Sequence, residues 1–145
     1  MGVLWIGRTF LGWGRLESID LIDLGASLTD VIATYGEPAE SEPDKYLSDA
    51  TLHTFNVGPF HEAIIVEWNN KVCWITYCSA YGNPNRDLKC MLNKYGQGVG
   101  WNELEPGYVC IRKDGQVWLR CSAAPAISVE TDEYLDAKRA ASATA

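Results

Sequence analysis

Two histidines, His53 and His61, and five cysteines, at 73, 78, 90, 110 and 121, are the residues here best suited to metal or nucleophilic chemistry. The histidines flank Gly58-Pro59. If strands on either side of that turn pair, both imidazoles approach one sheet edge, and a cysteine would complete the tetrahedral nitrogen–sulfur set that zinc prefers. The spacing matches no ligand pattern, however, and His61-Glu62 lacks the second histidine of a metalloprotease helix. The expectation is hydrogen-bonded strand histidines, with no metal and no other cofactor. A Cys–His nucleophile pair meets a similar objection. Cys73, Cys90, Cys110 and Cys121 fall on apolar patterns, where a thiol is usually inert core.

The other sources of chemistry are equally thin. Gly96, Gly98 and Gly100 follow a helical pattern instead of preceding one, so they cannot present a helix N-terminus to phosphate. Nineteen carboxylates single out no acid–base pair. No enzymatic activity is expected. An odd cysteine count without a CxxC pair argues for reduced thiols and a cytoplasmic protein.

Composition narrows the partners. At 145 residues the chain is one domain's worth, with 47% apolar and 21% charged residues. A net charge of −7 gives phosphate-backbone binding no electrostatic support, so no nucleic acid is expected. No apolar stretch is long enough to cross a membrane. The acidity suits either solubility or a basic protein partner. Six tryptophans and seven tyrosines supply both core and interface anchors.

The elements that must position these residues begin with Leu28-x-x-Val31-Ile32-x-x-Tyr35-Gly36, which recurs sixty positions later as Leu88-x-x-Met91-Leu92-x-x-Tyr95-Gly96. Apolar residues at i, i+3, i+4 and i+7 form one stripe of a two-turn helix, closed by a glycine cap. Ser27 is the N-cap of the first helix. Ahead of it, residues 1–24 form an arm or strand in which Trp5, Phe10 and Trp13 need cover. Behind it, Glu37 to Asp49 reads as a mobile, solvated acidic loop. Thr51–Val57 and Ala63–Trp68 read as antiparallel strands, followed by an Asn69-Asn70 turn and a third strand, Lys71–Cys78. A second hairpin, Tyr108–Arg112 with Gln116–Cys121, turns at Asp114-Gly115. Residues 129–139 form a short acidic-then-basic helix. The organisation is a single domain: repeat units 25–79 and 83–122, then a C-terminal helix and tail over 123–145. The fold class is α+β, an antiparallel sheet packed on two short repeat-related helices.

Gly25-x-Ser27-x-x-Asp30-Val31-x-x-x-Tyr35-Gly36-x-Pro38, followed by antiparallel strands, resembles the SmpA/OmlA-type envelope domain and the tandem β-lactamase-inhibitor-protein fold. It is also similar to small bacterial immunity proteins. The match covers residues 24–78 and rests on cap, stripe and turn residues. The lipoprotein signal and lipidated cysteine of the envelope family are missing from this sequence. The resemblance implies a non-enzymatic domain whose sheet binds another protein.

Strict alternation from the Asn69-Asn70 turn puts Val72 and Trp74 on the helix-covered face and Trp68 and Tyr77 on the other. Matching Val72 to Val117 adds Trp118 and Arg120 to that second face. These four are residue types enriched at interface hot spots. The face is either covered by the N-terminal arm or C-terminal helix, paired in a homodimer, or open to a foreign partner. The leading expectation is an inhibitor or immunity-type protein that occludes a basic toxin or enzyme. Trp68, Tyr77, Trp118 and Arg120 would then make contact, and Glu37, Glu40, Glu42 and Asp44 would steer. The alternatives are a structural or homodimeric scaffold, or a metal- or small-molecule-binding protein using His53 and His61.

Overall fold

The computed structural model describes residues 19–58, 61–79, 90, 93–94, 108–111, 117–121 and 126–143. The arm residues Trp5, Phe10 and Trp13, most of the second helical phrase, and the Asp114-Gly115 turn lie outside this set.

Helix α1 spans Leu28–Tyr35, the length its stripe predicts. The Ser27 hydroxyl accepts from the Asp30 N–H at 3.2 Å, taking one of the donors a helix start leaves unpaired. Gly36 ends the helix at φ 84°, and Gly25 introduces it at φ 89°. Both angles favour a residue without a Cβ. Around Gly25 the chain docks on the sheet: its N–H donates to the Val72 carbonyl, and the Val72 N–H donates to Ala26, both at 2.8 Å.

Among the described residues seven antiparallel strands follow: β1 (Glu40–Pro43), β2 (Thr51–Gly58), β3 (His61–Trp68), β4 (Lys71–Ser79), β5 (Tyr108–Ile111), β6 (Val117–Cys121) and β7 (Ala126–Thr131). Helix α2 (Asp132–Ala143) leads directly out of β7. The sheet order is β1-β2-β3-β4-β7-β6-β5. The α+β expectation is met, and Asn69 and Asn70 turn the β3–β4 hairpin at φ 53° and 63° as their side chains allow. The two-copy reading is not clearly supported. β1 to β4 form a continuous meander, whereas the second hairpin joins the sheet only through β7, which the sequence reading missed. A helical segment at Cys90, Asn93 and Lys94 does fall where the second phrase predicts one. Cys90 packs on the same core as α1, and Lys94 pairs with Asp23 at 2.6 Å.

Two corrections bear on the site. First, Glu37 to Asp49, though largely exposed, is not loop throughout. Its centre is edge strand β1, in register from Glu40 opposite Thr54 to Pro43 opposite Thr51. Charge and proline are what edge strands use against further pairing, so the composition that reads as loop also suits an edge. Second, β4 does not alternate strictly. Val66 faces Trp74 and Glu67 faces Val72, leaving Cys73 as an extra residue. This bulge reverses every later side chain of β4 relative to strict alternation. Ile75 and Tyr77 therefore join Val31, Phe55, Ile65, Val72 and Val129 in the core beneath α1. Trp74 moves to the opposite face, beside Val66, Cys73 and Tyr134.

Candidate functional site

On the face opposite α1 the described residues enclose an open groove of about 450 Å³. Its floor is Leu52, Ile64, Val66 and Trp74, one wall is Glu42, Asp44, Lys45 and Tyr46, and the other is Ser128, Tyr134 and Lys138. Each wall follows from the topology. β1 and the turn after it form one rim because β1 is an edge. The other belongs to α2, which packs back over β7 and β4 through Tyr134 and Leu135, 2% and 5% exposed.

A polar cluster joins the two walls. The Tyr134 hydroxyl donates to Asp44 Oδ2 at 2.9 Å, and the Leu47 N–H donates to the same oxygen at 3.3 Å. Burial, reinforced by the Asp44 carboxylate, pushes the Tyr134 phenol well above its ordinary pKa, so it remains a donor at any physiological pH. One helical turn on, Lys138 Nζ lies 2.5 Å from Glu130 Oε2, 4.6 Å from the Tyr134 ring centroid and 5.4 Å from that of Tyr46. Glu130 is 2% exposed, so its carboxylate meets the Lys138 ammonium out of contact with bulk water. The i, i+4 spacing of Tyr134 and Lys138 stacks the ammonium over the ring.

The residues singled out in the sequence fall in several places. Glu37, Glu40 and Glu42 are exposed. Glu42 lines the groove, and Glu40 shares its face by register. Asp44 is buried and hydrogen-bonded, which removes it from any exposed steering surface. Trp68 is partly buried on the groove face and donates its Nε1–H to Asp49 at 3.1 Å. Tyr77 is core on the other side, accepting from the Ile22 N–H at 3.0 Å. Trp118 and Arg120 take register positions opposite Glu130 and Ser128 in β7. Tyr46, Trp74, Glu130, Tyr134 and Lys138 were missed. The 130, 134, 138 spacing was a readable signal, but assigning 129–139 wholly to helix hid the strand that carries Glu130.

His53 and His61 are not brought together. His53 faces Ile65, whereas His61 lies four positions along β3, about 13 Å at the usual strand rise. His53 instead links three strands, with Nδ1 2.7 Å from Ser41 Oγ and Nε2 3.3 Å from Glu67 Oε1. That line runs on the α1 side of the sheet, away from the groove. No group of three metal-binding side chains occurs among the described residues. Cys73, Cys78 and Cys90 are free thiols, and burial together with the Asp44 charge pushes Cys73 up to about 12, leaving it unreactive.

Comparison with known proteins returns no matching family model and no matching curated protein. Among solved structures, the chain is similar to an extracellular protein containing an SCP domain from Bacillus anthracis, with TM-score 0.51 and 12% identity. The likeness covers 88% of this chain and 49% of that one. A cysteine-rich secretory protein from Staphylococcus aureus gives TM-score 0.48 and 8% identity, over 77% of this chain and 46% of its own. This chain thus spans about half the length of each. The fold likeness to the Bacillus anthracis structure overturns the SmpA/OmlA and β-lactamase-inhibitor resemblance. Its motif was built of cap, stripe and turn residues, which any helix leading into an antiparallel meander can use. Among the described residues no helix is long and apolar enough to cross a membrane.

Proposed function

We propose that the domain is a non-enzymatic protein-binding module that takes a basic segment of its partner into the groove between β1 and α2. The observation that carries this reading is the groove itself: an apolar floor with Trp74, an aromatic wall residue in Tyr46, and at its edge-strand side the exposed Glu42 carboxylate beside Lys45, with Glu40 two residues back on the same strand face. Aromatic anchors within a charged rim are the arrangement of protein interfaces, and carboxylates at the rim select basic partners and speed their encounter. The net charge of −7 adds attraction of the same sign. A basic toxin or enzyme is one form such a partner could take. The Bacillus anthracis neighbour is described as extracellular. On that description alone, we place the domain outside the cytoplasm in preference to the cytoplasmic expectation. Fractionation of the native cell tests the placement.

The test uses an eight-residue peptide alternating lysine with valine, and a counterpart with glutamate for lysine. The basic peptide should bind, weaken as salt rises, and lose at least fivefold affinity on Glu42→Lys or Trp74→Ala. Equal binding of the acidic peptide, or indifference to both substitutions, removes the reading.

A further inference from the structure

The ammonium of Lys138 occupies what amounts to a small cation receptor. Two phenol rings lie within 5.4 Å of Nζ, and the Glu130 carboxylate binds it at 2.5 Å. The receptor is built largely from outside the lysine's own helix: Glu130 comes from β7 and Tyr46 from the turn after β1, with only Tyr134 on α2. It opens onto the groove, since Tyr46 is 57% exposed and Tyr46, Tyr134 and Lys138 all line it. Here Lys138 Nζ is a primary alkylammonium seated among aromatic faces and an anion, the combination that recognises such cations when water is excluded.

We infer that this cage is the lysyl subsite of the groove, occupied in the free protein by the chain's own Lys138 and occupied in the complex by a lysine of the partner. The inference rests on the groove reading and names the side chain that the groove selects. Exchange keeps an ammonium beside the buried Glu130 carboxylate throughout, so the pairing that Lys138 makes there is preserved. Lys138 is attached near the exposed C-terminal half of α2, where Arg139 and Ala140 are exposed, so its ammonium can swing into water without moving the helix backbone.

The experiment empties the cage with Lys138→Ala and probes it with n-butylammonium, the head and stem of a lysine side chain. The variant should bind butylammonium saturably at roughly millimolar concentration, with a rise in Tm, and n-butanol should not reproduce this. Lys138→Ala combined with Glu130→Gln should lose the effect. Equal responses to butanol, or an unchanged response in the double variant, overturn the cage. Should Lys138→Ala not fold, the wild-type protein supplies the readout. Its Lys138 ¹³Cε resonance, shifted by the Tyr134 ring, should move toward the free-lysine position as butylammonium is added, and a resonance that stays fixed overturns the exchange. The alternating lysine–valine peptide should bind Lys138→Ala at least threefold more tightly than wild type. If it binds both equally yet still responds to Glu42→Lys, the groove stands and the lysyl subsite falls. If it binds neither while butylammonium still fills the cage, the groove reading falls.

Discussion

Tyr134 and Asp44, ninety residues apart in the chain, are joined by a 2.9 Å hydrogen bond that ties helix α2 to the turn after edge strand β1. The bond runs from one wall of the groove to the other, so it fastens the two together at a buried point. Removing the hydroxyl with Tyr134→Phe leaves Asp44 a buried carboxylate with one fewer donor. Stability should fall by about 1–3 kcal/mol in denaturant unfolding. Amide exchange should accelerate in β1 more than in β3.

The Cys73 thiol sets an alkaline limit on stability. Folding raises its pKa from 9.0 to about 12, chiefly by burial. Between those values the unfolded chain releases a proton that the folded chain keeps. The thiol's contribution is therefore whole below about pH 9 and is lost as pH rises toward 12, by at most about 1.4 kcal/mol per pH unit. Unfolding of wild type and Cys73→Ala at pH 8, 9.5 and 11 should show a steeper decline for wild type. Parallel curves would mean that the thiolate forms in the folded protein at little cost.

Asn70 holds φ 63° at the β3–β4 turn. Asn70→Gly should be neutral or stabilising by a few tenths of a kcal/mol, whereas the β-branched Asn70→Val should cost about 1–2 kcal/mol. Because this turn joins β3 directly to β4, the valine variant should also slow refolding in stopped-flow measurements.

Ser27→Ala removes the α1 cap and should cost about 1 kcal/mol, with Ser27→Gly losing less. Thermal unfolding checks it. The nearby Thr29→Ala, on an exposed helix position, should stay within about 0.5 kcal/mol of wild type.

Local signals made much of this fold legible. The stripe and caps predict α1 to the residue, and the asparagine pair marks its turn, because each depends only on neighbours in sequence. The Cys73 bulge is different. Nothing local distinguishes Val72-Cys73-Trp74 from an alternating strand, and the extra residue is stabilised by a sheet partner, through the Cys73 Sγ contact with the Val66 carbonyl at 3.4 Å. One residue of register therefore exchanged Tyr77 for Trp74 on the candidate surface. β1 was hidden for a related reason, since Glu40-Ser41-Glu42-Pro43 has the composition of a loop and becomes a strand only by pairing with β2. The groove cluster gathers residues 42–46, 74 and 130–138, and no spacing within one segment could reveal it.

The position of β7 has a consequence for how the molecule is made. During synthesis it leaves the ribosome after β1 to β6, yet it belongs between β4 and β6. Until it arrives, the nascent chain carries two incomplete half-sheets, each with an inner edge able to pair with another chain. A stop codon or proteolytic cut ahead of residue 126 would therefore do more than shorten the protein. It would leave both inner edges open, and the expected fate of the fragment is aggregation.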